Sequence, residues 1–101
     1  MNNYTREKLA NIANHYETDS QMRQTQEEAA ELIVAINKYE RFKTDQCKEA
    51  LIEEMADVLL MIEQLKILLN INEIDIEHWI SLKIYRQESR IKEFQKEHGN
   101  G

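Results

Sequence analysis

Residues 47–69 read CKEALIEEMADVLLMIEQLKILL, and this stretch decides the fold. It contains no proline or glycine, and most of its residues favour the α-helix. Leucine and isoleucine lie around most of the circumference of that helix, at positions 51, 52, 59, 60, 62, 65, 67 and 68. A helix that is apolar on several sides must be buried on several sides, which a lone bundle of three or four helices hardly allows. The stretch therefore predicts a long helix in a chain that assembles into an oligomer.

Three further helical segments surround this one, and short polar breaks separate them. The first runs from about Thr5 to His15, the second to about Phe42, and the fourth to about His98. The predicted N-caps are Asp19 or Ser20 for the second helix, Thr44 or Asp45 for the third, and Asp75 for the fourth, with Gly99 ending the last helix. The chain has no proline and only two glycines, so it lacks the turn residues that a β-rich fold needs. We predict an all-α antiparallel bundle of about four helices, forming one domain over residues 1–101.

Charge and composition limit the partners that the chain is expected to have. The formal net charge is -6, from 19 acidic and 13 basic residues, and an acidic surface repels the phosphates of DNA and RNA. Cys47 is the only cysteine, so no internal disulfide forms. No leader-like segment opens the chain, and no apolar run approaches the ~18 residues of a transmembrane helix. The expectation is a soluble, cytoplasmic protein that binds neither nucleic acid nor membrane.

Two pairs of carboxylates interrupt apolar helical faces. With about 100° per residue, Glu28 and Glu31 lie side by side on the second helix, on a face that continues as Leu32 and Ala35. Glu54 and Asp57 do the same on the third helix, among Cys47, Ala50, Val58 and Met61. Glutamates on helices are most often solvated, but like charges on apolar faces repel each other and are costly to bury. A bound dication resolves that conflict, and oxygen ligands suit Mg²⁺ or Mn²⁺.

A matching feature of opposite sign lies on the fourth helix. Lys83, Arg86 and Arg90 share a face with Ile76, Trp79, Ile80 and Phe94. These cations either form ordinary salt bridges to neighbouring helices, with their aliphatic stems along apolar surface, or hold the phosphates of an anionic substrate.

The two acidic segments together resemble the signature of a known family. Residues 27–32, EEAAEL, and residues 53–57, EEMAD, are similar to the paired motifs of the MazG-like all-α nucleotide pyrophosphohydrolases, which are related to the dimeric dUTPases. Residues 15–16, Gln21 and Gln24 upstream, and residues 83–87 with Arg90 downstream, also resemble small members of that group. The resemblance covers roughly residues 9 to 92. Glu17 departs from it by replacing a small residue, and the chain lacks the extra helices with which larger relatives build a base pocket.

The resemblance implies a reaction and a role for each of these residues. The reaction is Mg²⁺-dependent hydrolysis of a nucleoside triphosphate to a nucleoside monophosphate and pyrophosphate. Glu28, Glu31, Glu54 and Asp57 would bind the metal. One of these four carboxylates, or Glu27 or Glu53 behind them, would orient or deprotonate the attacking water. Lys83, Arg86 and Arg90 would hold the phosphates, and Gln21 and Gln24 would contact base or sugar. The resemblance also implies a homo-dimer or homo-tetramer.

Three other interpretations remain to be weighed against this one. A di-iron carboxylate bundle normally needs Glu-x-x-His pairs, and the three histidines of this chain do not form them. A non-enzymatic helical interaction module would carry its acids for solubility alone. A nucleotide-binding sensor would keep the fold and the metal site without turnover.

Overall fold

The computed structural model of the protein describes residues 1–99, which form four α-helices and no strand. Their bounds are α1 Asn3–His15, α2 Thr18–Phe42, α3 Asp45–Leu68 and α4 Glu73–His98. The predicted all-α class is therefore confirmed, and the four predicted segments correspond to the four helices. Of these helices, none is both long enough and apolar enough to cross a membrane.

The helix ends show which predicted caps are used. Thr44, one of the two predicted caps, caps α3, and its side-chain oxygen accepts a hydrogen bond from the Cys47 backbone N–H at 3.1 Å. Gly99 is the C-cap of α4, as predicted. The prediction for the start of α4 was wrong, because Asn72 caps it and accepts from the Ile74 N–H at 3.0 Å. Asn and Asp cap helices equally well, so the residue type alone does not select between them.

The predicted cap of α2 was also wrong. The helix begins at Thr18, after Glu17, and no side chain caps it. Only Tyr16 and Glu17 connect α1 to α2, so the chain re-enters a helix before Asp19 or Ser20 can act as the cap. Asp19 lies instead in the first turn, where its negative charge favours the positive end of the helix dipole.

A two-residue connection makes α2 and α3 antiparallel neighbours. Lys43 adopts the left-handed conformation, with φ 49° and ψ 35°, and its N–H donates to the Tyr39 carbonyl at 2.9 Å. Thr44 then returns to an extended conformation and caps α3. Because the turn is so short, α2 and α3 pack along each other, and this packing positions the acidic residues that the two helices carry.

Residues Met1–Ile71 form one compact unit in which α3 packs against both α1 and α2. It has few buried apolar side chains for a helical bundle: Leu9, Ala13, Ala35 and Met61. A second unit begins at Asn72 and contains α4, in which no described residue is buried. Whether the chain behaves as the single predicted domain stays a prediction.

A buried pair of glutamines crosses the α2–α3 interface. Gln21 and Gln64 are each 6% exposed, and Gln21 Nε2 donates to Gln64 Oε1 at 2.7 Å. Gln64 Nε2 in turn lies 3.8 Å from the sulfur of Met61. A buried amide costs free energy unless it is hydrogen-bonded, so these two side chains favour the one register in which they meet.

Much of the apolar surface of α2 and α3 remains exposed. On α3 the exposed side chains include Ile52, Met55, Leu59 and Ile62, which recur with the 3-4-3 spacing of helix-packing positions. On α2, Ile33 and Ile36 are exposed. With about 100° per residue, the four residues of α3 share one side of that helix and the two of α2 share one side of theirs, and we call the six together the apolar face.

We expect the glutamine pair to make an interdependent contribution to stability. Gln64→Leu should lower the free energy of unfolding by about 1–3 kcal/mol, because the Gln21 amide is left buried without its partner. The double variant Gln21→Leu/Gln64→Leu should recover most of that loss. Urea unfolding measures all three proteins, with Gln26→Leu, at an exposed position of α2, as the control. Losses that simply add in the double variant would show that the pair makes no specific contribution.

Candidate metal centre

Three carboxylates from two helices meet at the α2–α3 interface. Glu28 comes from α2, and Glu54 and Asp57 come from adjacent turns of one face of α3. One oxygen from each of the three lies within 4.8 Å of the other two, and all three residues are half-buried. Three anionic groups at such distances repel one another unless a proton or a cation lies between them.

Two oxygens of this cluster are buried without any hydrogen-bond partner among the described residues. They are Oε2 of Glu28 and Oε2 of Glu54. The other oxygen of Glu28, Oε1, accepts a hydrogen bond from Gln24 Nε2 at 2.9 Å. A buried carboxylate oxygen without a donor is costly, so the arrangement suits a cation held between the helices.

Burial and neighbouring negative charges act on the carboxylate of Glu54. Its pKa is raised above the ordinary value of 4.5, first because the carboxylate is removed from solvent. The negative charges of Glu31, Glu28 and Asp57 raise the pKa further, in that order. A neighbouring positive charge would therefore stabilise the charged form of Glu54.

Glu31, the fourth predicted ligand, lies at the edge of the cluster. Its side chain is exposed and it is not among the three residues that converge, although its negative charge raises the pKa of Glu54.

Glu31 also lines a groove between α2 and α3, together with Glu54. The groove has a volume of about 420 Å³, and its lining includes Ala35, Cys47 and Ala50. We call it the Cys47 groove.

The comparisons with known proteins agree with this geometry. The family model of the MazG nucleotide pyrophosphohydrolase domain matches residues 16–93. The chain belongs to the MazG family. The match covers both acidic segments, the helices that carry them, and the basic residues of α4. Comparisons with curated proteins and with solved structures gave no significant match.

The remaining predicted residues of the MazG domain lie in two places. Glu27 and Glu53 are exposed beside the cluster, and their participation stays a prediction. Lys83, Arg86 and Arg90 are also exposed, and they line one hollow of about 120 Å³ on α4 together with Gln87. The three cations therefore lie on one side of α4, as their spacing predicted, and their role in binding phosphates stays a prediction.

The two glutamines predicted to contact the nucleoside are both engaged within the protein. Gln21 is bonded to Gln64 in the interior, and Gln24 donates to Glu28. Gln24 therefore orients a carboxylate of the cluster, a role that the sequence did not suggest.

Lys38 and Gln46 line the Cys47 groove, and no sequence motif pointed to either residue. Ala35 and Ala50 lie on the same helical faces as the acids, and their small side chains could have indicated a groove between α2 and α3.

The raised pKa of Glu54 predicts how the stability of the metal-free protein depends on pH. An acid with a higher pKa in the folded state stabilises the fold fully only at low pH, and this contribution is lost as the pH rises through the folded-state pKa. The loss should begin near the ordinary value of 4.5 and extend above it. Glu54→Gln removes this penalty, so its Tm at neutral pH should exceed that of the wild type, with a weaker decline as the pH rises.

Thermal unfolding with a chelator, between about pH 4 and pH 7, measures this difference. Glu49→Gln is the matched control, since Glu49 is an exposed glutamate on the same helix. If the two variants show the same Tm profile, the carboxylates around Glu54 do not strain the metal-free fold.

Proposed function

We propose that this MazG domain hydrolyses the bond between the α- and β-phosphates of a nucleoside or deoxynucleoside triphosphate, releasing a nucleoside monophosphate and pyrophosphate. The observation that carries the proposal is the convergence of Glu28, Glu54 and Asp57 with two orphaned carboxylate oxygens. Hard oxygen ligands of this kind favour Mg²⁺, with Mn²⁺ as an alternative. Nucleotide substrates and divalent metal are also what the family match suggests for the chain.

Glu28, Glu54 and Asp57 would hold the metal, and Glu31 would complete the set from the edge of the cluster. When bound, the metal neutralises phosphate charge and lowers the pKa of a coordinated water. Gln24 keeps one oxygen of Glu28 fixed, which leaves the other, Oε2, available as a ligand. Glu27 or Glu53 would orient or deprotonate the attacking water as a general base.

The basic residues of α4 would hold the phosphate groups that leave. Lys83, Arg86 and Arg90 offer three cations around one hollow, and guanidinium groups bind phosphate oxygens through paired hydrogen bonds. Their contribution would be electrostatic, stabilising charge that develops on the departing pyrophosphate.

A second copy of the chain would cover the apolar face. The six residues of this face are each between 41% and 61% exposed, and together they offer on the order of 500 Å² of apolar surface. An ordinary interface of about 800 Å² per partner is roughly 60% apolar, so the face is large enough for one. The assembly would be a homo-dimer, or a tetramer built from two dimers.

A pyrophosphate-release assay over the common NTPs and dNTPs tests the reaction. Turnover should require Mg²⁺ or Mn²⁺. Glu28→Gln, Glu54→Gln and Asp57→Asn should each lower kcat/KM by at least about 100-fold, because each removes a charged metal ligand. Glu49→Gln should leave kcat/KM within about twofold of the wild type.

The same variants separate the other interpretations. If no nucleotide is hydrolysed but Mg²⁺ and nucleotide together raise the Tm of the wild type, the chain is a sensor. If neither Mg²⁺ nor nucleotide changes the Tm, and Asp57→Asn behaves as the wild type, the acids serve solubility and the enzymatic proposal fails.

The oligomer is tested by light scattering of the purified chain. Leu59→Glu places a charge in the middle of the apolar face, so it should convert the wild-type oligomer to a smaller species. Leu60→Glu is the matched control, since Leu60 lies about 100° away around α3 and outside the face. A wild type that is monomeric at micromolar concentration would contradict the proposal.

A further inference from the structure

The Cys47 groove extends directly from the carboxylate cluster along the α2–α3 interface. Glu31 and Glu54 form part of its lining. Glu54 belongs to the carboxylate cluster, and the negative charge of Glu31 raises the pKa of Glu54. From these two acids the groove continues towards Lys38 on α2 and Gln46 on α3. Seven or eight residues of helix correspond to about 10–12 Å, so the groove is about as long as a nucleoside.

The volume and the lining suit an uncharged organic group. A volume of about 420 Å³ falls within the range of ordinary small-molecule sites. Val34, Ala35 and Ala50 provide apolar surface, and Cys47 adds a polarisable thiol. Lys38 and Gln46 are exposed and can donate hydrogen bonds to the edge of a ring system, while the small side chains leave its faces free to pack.

The other end of the interface is bridged by side chains. Beyond Glu28 the helices are joined by Gln21 and Gln64, which are buried and bonded to each other. A ligand with its phosphates at the carboxylates can therefore place its remaining part towards Cys47, but cannot reach Gln21 without breaking that pair.

From this asymmetry we infer that the Cys47 groove binds the nucleoside of the triphosphate, with the base between Ala35 and Ala50 and its edge towards Gln46 and Lys38. This inference rests on the proposed function. It replaces Gln21 as the expected contact to the nucleoside. It also makes Cys47, the only thiol of the chain, a reporter of whether the groove is filled.

Alkylation of Cys47 by iodoacetamide provides a readout that is independent of turnover. The probes are nucleoside triphosphate analogues with a methylene group between the α- and β-phosphates, each with Mg²⁺, and inorganic tripolyphosphate with Mg²⁺. The analogue that binds should slow alkylation by about tenfold at saturation, because the base covers the thiol. Tripolyphosphate should leave the rate unchanged, since it has no group to enter the groove.

A pair of alanine variants on α3 tests the same groove through kinetics. Ala50→Leu adds bulk inside the groove and should raise KM by about tenfold or more while leaving kcat much less affected. Ala56→Leu adds the same bulk on the same helix at an exposed position that does not line the groove. It should leave KM within about twofold of the wild type. Tripolyphosphate with Mg²⁺ should raise the Tm of both variants equally, because both keep the carboxylates.

The outcomes distinguish this inference from the reaction itself. Hydrolysis without protection of Cys47, and with equal KM values for the two variants, overturns the groove assignment and leaves the reaction standing. Protection by a nucleotide analogue without hydrolysis supports the groove and overturns the reaction. Equal protection by tripolyphosphate shows that the groove takes phosphates, which also overturns the assignment. If neither hydrolysis nor protection occurs with any nucleotide, both proposals fail.

Discussion

Repulsion among three half-buried carboxylates is the constraint around which the first unit is organised. Glu28, Glu54 and Asp57 each bring an oxygen within 4.8 Å of the others, and within residues 1–99 no hydrogen-bond donor reaches Oε2 of Glu28 or Oε2 of Glu54. Removal from solvent, and then the negative charges of Glu31, Glu28 and Asp57, raise the pKa of Glu54. A helical pair that served only for stability would place apolar residues at these positions, because buried like charges weaken a fold. The cluster therefore lowers the stability of the metal-free fold.

The packing of α2 against α3 is what keeps the carboxylates together. The short turn at Lys43 and Thr44 makes the helices antiparallel, and the bond between Gln21 and Gln64 favours one register. A shift by a single turn would move Glu28 by about 5.4 Å along the interface, enough to separate it from Glu54 and Asp57. The glutamine pair thus contributes to the site by favouring one position of its two helices.

The exposed surface of α2 and α3 includes two parts of different chemistry. The apolar face consists of Ile33, Leu59 and their neighbours. The Cys47 groove opens along the interface beside the carboxylates, with polar residues at its edge. The unit buries few apolar side chains, because much of its apolar surface lies exposed on α2 and α3.

The sequence by itself determined the all-α class, the number of helices and the spacing of both acidic pairs, and it limited the cap of α3 to Thr44 or Asp45, because helical periodicity and cap chemistry are local properties. The family also followed from those spacings, as the match over residues 16–93 shows. Tertiary structure alone decided which acids converge, leaving Glu31 at the edge, and it engaged Gln21 and Gln24 inside the protein. It also created the Cys47 groove. Distances between helices depend on register and side-chain packing across an interface, and the periodicity of one helix carries no information about them.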